Sequence, residues 1–308
     1  MANDQTKPGA GANAKPHAPL DPRQEAILKS QSYVMAERDT VLLSGPDLTA
    51  IRLMLEYMKP QMAFAANDVY STIVLFGSTR VSDPTVAQER LDAARADAAA
   101  HPEDPAAARR VRVAEHLNAL SRYYKVARDF AAMVSNAYQR PGERNFVIVT
   151  GGGPGIMEAG NRGAEESGHS SVGLNISLPH EQVPNPYITP DLCFRFRYFA
   201  LRKMHFVGKA RALVAFPGGF GTFDELFEVL CLIQTRTIDP VPVVLVGEAF
   251  WRRALDVEFL ADQGVIDPGD IGLFAYAETA QDILERIEEW YTVRGLRPPQ
   301  PVNHSELE

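Results

Sequence analysis

The chain's most telling run is Ala212-Leu213-Val214-Ala215-Phe216-Pro217-Gly218-Gly219-Phe220-Gly221-Thr222-Phe223-Asp224-Glu225. Five apolar residues run into three glycines, and the glycines open onto a helical pattern. This is the sequence form of an anion cradle. Glycines let the backbone turn tightly and approach a ligand without interference from Cβ. The first N–H groups and the positive dipole end of the following helix favour a phosphate. Each such contribution is worth only about 0.3–1 kcal/mol in an exposed setting, so tight binding needs several converging on one partly desolvated anion. Glu225 falls about one turn into the helix, and a carboxylate beside an anion site points to chemistry. The plainer reading of the same residues is a strand end that permits close helix packing, with Glu225 solvated and stabilised by the dipole.

Two more stretches favour the cradle. Phe146-Val147-Ile148-Val149 leads into Thr150-Gly151-Gly152-Gly153-Pro154-Gly155-Ile156-Met157-Glu158, and Ser71-Thr72-Ile73-Val74-Leu75-Phe76 leads into Gly77-Ser78-Thr79-Arg80. Three such strand ends predict a parallel sheet whose carboxyl edge holds a ligand, in a doubly wound α/β fold. Neither glycine cluster has the G-x-G-x-x-G spacing of dinucleotide sites, because positions 156 and 158 are Ile and Glu. A P-loop is disfavoured too, since the one Gly-Lys pair, Gly208-Lys209, is followed by Ala210.

The chain has 308 residues, enough for an α/β core of ordinary size with additions. Its net charge of −8 argues against a nucleic-acid surface, which needs clustered Lys and Arg. Cys193 and Cys231 lack metal or disulfide-framework spacing, so a reducing cytoplasm is the expected location. No apolar run approaches the roughly 20 residues that cross a bilayer, and the seven histidines show no ligand spacing. The reading calls for no metal, no cofactor and no membrane.

Along the chain, residues 1–22 read as a disordered tail, 23–69 as an N-terminal helical extension, 70–295 as the Rossmann-like domain and 296–308 as a C-terminal tail. The extension contains a helix from Asp47 to Met58 that stops before Pro60. A helical insertion occupies about 81–118. A helical stretch from Pro105 to about Ala137 carries the inward spacing Leu117, Leu120, Tyr124, Ala127, Phe130, Met133, as a βαβ crossover helix would. Val172–Pro179, Phe194–Phe199 and Val241–Val246 read as strands, and Asp282–Tyr291 as an amphipathic closing helix.

Taken together, the Gly77-Ser78 turn, Gly151-Gly152-Gly153-Pro154-Gly155-Ile156-Met157-Glu158, the pair Arg202-Lys203 and Pro217-Gly218-Gly219-Phe220-Gly221-Thr222-Phe223-Asp224-Glu225 resemble the Lonely Guy (LOG) family of cytokinin riboside 5′-monophosphate phosphoribohydrolases. That family was once misnamed lysine decarboxylases. The resemblance covers about residues 70–291. It implies hydrolysis of the N-glycosidic bond of a nucleoside 5′-monophosphate, either AMP or a cytokinin riboside monophosphate, to free base and ribose 5-phosphate. It also implies a homodimer or larger homo-oligomer. Carried onto this chain, it puts the 5′-phosphate on Gly218, Gly219, Gly221 and Thr222 with help from Gly77 and Ser78, and makes Arg202 and Glu225 the catalytic pair. Gly152 and Gly153 join the nucleotide site, Glu158 is a candidate ribose contact, and Lys203 a candidate phosphate contact. Many members carry Met-His upstream of the Arg-Lys pair. Here Ala200-Leu201 stand there, and Met204-His205 follow Lys203.

Two other readings share the glycine loop. One is a carrier of a phosphorylated pterin such as the molybdenum cofactor, which binds without turnover. The other is a pyridoxal-phosphate decarboxylase, which requires a Schiff-base lysine; Lys203 is the lysine near the motifs.

Overall fold

The structure, a computed structural model, describes residues 20–178 and 183–298. Most of the expected N-terminal tail and residues 299–308 of the expected C-terminal tail lie outside the described residues. The chain divides into two compact units, Met1–Met54 and Leu55–Glu308. In the first unit, α1 (Pro22–Leu28) is capped by Asp21 and α2 (Thr40–Ser44) by Asp39, each carboxylate accepting a first-turn backbone N–H. Helix α3 (Thr49–Ala66) follows, and its residues from Leu55 onward belong to the second unit.

Among the described residues the second unit has nine strands. They are β1 (Thr72–Phe76), the hairpin strands β2 (Gln139–Arg140) and β3 (Glu143–Arg144), then β4 (Val147–Thr150), β5 (Ser171–Ile176), β6 (Cys193–Phe196), β7 (Ala210–Ala215), β8 (Val243–Val246) and β9 (Ala275–Ala277). Seven of them form one parallel sheet in the order β6-β5-β4-β1-β7-β8-β9. The chain winds outward from β1 through β4, β5 and β6, then returns to the other side of β1 for β7, β8 and β9. This is the expected doubly wound fold. The switch point lies between β1 and β7, where a crevice for ligands forms at the carboxyl ends of the strands.

Central strands that are buried on both faces need apolar residues at every position, and β1 is buried throughout. Alternate residues feed two separate cores. Ile73, Leu75, Ile148, Ala212 and Val214 pack with α6 (Arg122–Tyr138), α7 (Ile156–Glu166) and α12 (Ala280–Val293). Val74, Phe76, Val149, Leu213 and Ala215 pack on the opposite face. Their partners there include Phe64 of α3, Phe206 of α8 (Phe199–Gly208), Leu226 and Val229 of α9 (Phe220–Gln234), and Trp251 of α10 (Glu248–Ala254). The insertion is the helix pair α4 (Pro84–Ala100) and α5 (Pro105–Leu120), and α11 (Val257–Asp262) precedes β9.

Several boundaries differ from the sequence reading. Helix α3 runs through Pro60 to Ala66. A proline inside a helix sacrifices one backbone bond, but Pro60 is itself buried and Phe64, one turn later, is a core residue. Tertiary packing thus outweighs the local break, and the last turns of the supposed extension belong to the core. The long helix from Pro105 is two helices, parted at Ser121, whose N–H and hydroxyl both donate to the Asn118 carbonyl. The strand β9 and helices α10 and α11 were not read from sequence. They are too short to display a period. No described helix is long and apolar enough to cross a membrane.

Candidate functional site

Three loops leave the carboxyl ends of β1, β4 and β7 and are tied to one another by backbone. The Ser78 N–H donates to the Pro217 carbonyl at 3.0 Å, and the Ile156 N–H donates to the Ser78 carbonyl at 3.1 Å. Gly155 makes the second bond possible. It has φ +77°, and a Cβ there would stand 2.3 Å from the Ser78 oxygen, so any side chain forces the β1 and β4 loops apart. At the third loop, a Cβ on Gly218 would fall 2.1 Å from the Thr222 hydroxyl oxygen. That closeness lets Thr222 fold back over its own loop, where it is buried.

The loops frame a cleft of about 560 Å³ lined by Gly77, Ser78, Gly153, Arg202, Gly219, Gly221, Thr222 and Glu225 among the residues expected from sequence. Gly219 occupies the N-cap position of α9 with no side-chain acceptor. A Cβ on either Gly219 or Gly221 would meet nothing within 4 Å, so this helix end opens on the cleft. First-turn amides without intrahelical partners are what an anion requires there.

Glu225 is 3% exposed, which removes the solvated first-turn alternative. The Arg202 guanidinium donates to Glu225 Oε1 at 3.1 Å, and Lys203 Nζ lies 3.4 Å from Oε2. Burial pushes the Glu225 carboxyl above its ordinary value of 4.5, against the opposing pull of Lys203 and Arg202. Both cations come from α8, whose entry is fixed from a distance. The Glu56 carboxylate accepts from the Arg197 N–H at 2.9 Å and the Tyr198 N–H at 3.2 Å, directly ahead of the helix. Phe199 and Phe206 flank the Arg202 guanidinium, with ring centroids 5.1 and 5.4 Å away. Its Nε is buried without a hydrogen-bond partner among the described residues.

Four of the expected residues fall elsewhere. Gly152 makes a left-handed turn against the Asn175 amide, and Gly218 packs beneath Thr222. Glu158 accepts from the Tyr124 hydroxyl at 2.8 Å and points toward α6. Lys203 is held by Asp224 at 3.0 Å and Glu228 at 2.9 Å as well as by Glu225. Burial alone would lower the Lys203 pKa, but its bonds to Glu228 and Asp224 and the Glu225 charge drive it upward overall.

The cleft also contains residues with no role assigned from sequence: Thr79, Arg80, Met157, Asn175, Phe199 and Phe206. Arg80 was visible as a cation at the end of β1. Asn175 carried a signal as well, a lone amide near the carboxyl end of an otherwise apolar strand. The aromatic pair had none: Phe199 was read as the end of a strand, whereas it begins α8, and Phe206 on a helix reads as core.

Residues 157–287 match the family described as "Possible lysine decarboxylase". Cytokinin riboside 5′-monophosphate phosphoribohydrolase LOG3 of Arabidopsis thaliana is 26% identical over 152 residues, covering 48% of this chain and 69% of that protein. A solved structure described as TM1055 has a TM-score of 0.44 and 20% identity, covering 71% of this chain and 99% of that one. The molybdenum cofactor binding protein of Rippkaea orientalis has a TM-score of 0.38 and 19% identity, covering 55% of this chain and 87% of that one. At such scores neither structure bears on function. The resemblance to the LOG family is borne out, and the relatives bearing that name are hydrolases.

Proposed function

We propose that this relative of the LOG phosphoribohydrolases hydrolyses the N-glycosidic bond of a nucleoside 5′-monophosphate, with Glu225 and Arg202 as the catalytic pair. One observation carries the reading: a buried carboxylate, paired with an arginine, on the open glycine-ended helix at the switch point of the sheet. The cleft volume of about 560 Å³ lies in the range of small-ligand sites, about 300–1,000 Å³. The phosphate sits on the amides at the start of α9, beside Thr222 and the Gly77-Ser78 turn. As the C1′–N bond breaks, its electron pair leaves with the base and positive charge develops on the ribose. The Glu225 carboxylate stabilises that charge and takes a proton from the water whose hydroxyl adds to C1′, and that proton then passes to the departing base, so that neutral base and ribose 5-phosphate leave and the carboxylate is restored. Arg202 orients the carboxylate through its guanidinium and brings a positive charge to the cleft lining. AMP and cytokinin riboside monophosphates are both admitted as substrates, and the same resemblance makes a homo-oligomer part of the proposal.

The decarboxylase reading loses its nucleophile. Lys203 is absent from the cleft lining and is held protonated by three carboxylates, whereas a Schiff base needs a neutral, accessible amine.

The test is chromatographic detection of free base after incubation with AMP, the other common monophosphates and isopentenyladenosine monophosphate, with Glu225→Gln as control. Release from at least one substrate, abolished in the variant, is expected. Binding without release in the unaltered protein would replace the hydrolase by a carrier.

A further inference from the structure

Away from the main cleft, the insertion helices enclose a second groove of about 390 Å³. Arg80, Arg90, Arg109 and Arg110 line it, and Val113 and Leu117 contribute to an apolar wall. Arg110 is neutralised, since it donates to Asp97 at 2.7 Å and Asp104 at 3.1 Å. Arg80, Arg90 and Arg109 have no acidic partner among the described residues. The chain carries 39 acidic against 31 basic residues, so three uncompensated arginines meeting in one concavity run against its overall charge. Like charges gathered without a counter-ion repel one another, and an anion relieves that cost.

We propose that the groove is a second anion site, which takes a phosphorylated small molecule with an apolar or ring-bearing body. The planar guanidinium forks of Arg80, Arg90 and Arg109 match phosphate oxygens, and the body of the ligand lies against the Val113 and Leu117 wall. Arg80 also lines the main cleft, so the two sites share one cation. This assigns the insertion a binding role that the glycine loops do not supply.

Calorimetric titration with ADP and with pyrophosphate, at about 0.15 M salt so that diffuse surface attraction is screened, tests the site. The main cleft is first closed with Gly219→Leu. Gly219 has φ −100° and open space for a Cβ, so leucine enters without backbone strain. Adding Arg90→Ser and Arg109→Ser to that background is expected to weaken ADP binding by more than about tenfold, because two charged hydrogen-bonding groups are removed. Both arginines are exposed, and circular dichroism checks that the fold is kept. Complete loss of binding in Gly219→Leu alone would overturn the second site, as would unchanged binding after the two serine substitutions. ADP is expected to bind more tightly than pyrophosphate, and equal affinities would remove the apolar wall from the proposal. This readout does not depend on hydrolysis in the main cleft, so either reading can fail alone.

Discussion

The loops that precede α7 and α9 read alike in sequence, each an apolar strand, a glycine run and a helix with a glutamate in or near its first turn. Folded, they do opposite things. The end of α7 is closed by the protein: the Ile156 amide bonds to the Ser78 carbonyl and Glu158 is taken by Tyr124. The end of α9 is left open on the cleft, and Glu225 is buried against Arg202 and Lys203. One glycine loop serves as a fastening and the other lines an open cleft. What separates them is which neighbour reaches the helix end first.

Substitutions at the two loops test that contrast. The largest effect belongs to Glu225→Gln, which is expected to keep nucleotide binding and lose about 10²–10⁴ in turnover, as for a general acid or base. A variant retaining more than about a tenth of the rate would take Glu225 out of that role. Arg202→Ala comes next, with a loss of about 10–100-fold for one charged hydrogen bond.

The same pair predicts a pH effect. In the proposed reaction ionised Glu225 is the working form, and burial raises its pKa, so the acidic limb of kcat/KM should lie above 4.5. Removing the Arg202 charge removes a lowering influence, and the limb should move higher still in Arg202→Ala. A limb that stays fixed would show that another group controls it.

Gly155→Ala acts on the fastening. Its Cβ would press on the Ser78 oxygen at a positive φ, and a destabilisation of about 1–3 kcal/mol in thermal or denaturant unfolding is expected. The smallest effect is that of Glu158→Gln. The amide oxygen still accepts from Tyr124, so stability should change by no more than about 0.5 kcal/mol, and the rate of base release should hold. A tenfold fall in that rate would draw Glu158 into the chemistry and erase the contrast between the loops.

The carboxyl-edge loops were legible because each strand is buried on both faces and therefore reads as an unbroken apolar run, with glycines marking where it turns. Arg202 and Glu225 came from the motif resemblance, and they do meet. Phe206 was hidden, since on α8 it looks like any core aromatic, and Phe199 because it was read as the last residue of a strand. Glu56 was hidden for another reason: its partners Arg197 and Tyr198 lie 141 and 142 residues away, and no local pattern links them. Pro60 misled because a local breaking rule was outweighed by the burial of Phe64.

The doubly wound parallel sheet, the alternation of its longer strands and helices and the backbone turns at its carboxyl edge were all readable in the sequence alone. These follow from hydrophobic period and glycine freedom, which act over a few residues. Only the tertiary structure decided which helix end stays open, which glutamate loses its solvent and which arginines stand together. Burial and charge pairing depend on side chains delivered by distant elements, and packing across the sheet brings Arg202 within 3.1 Å of a carboxylate 23 residues further along the chain.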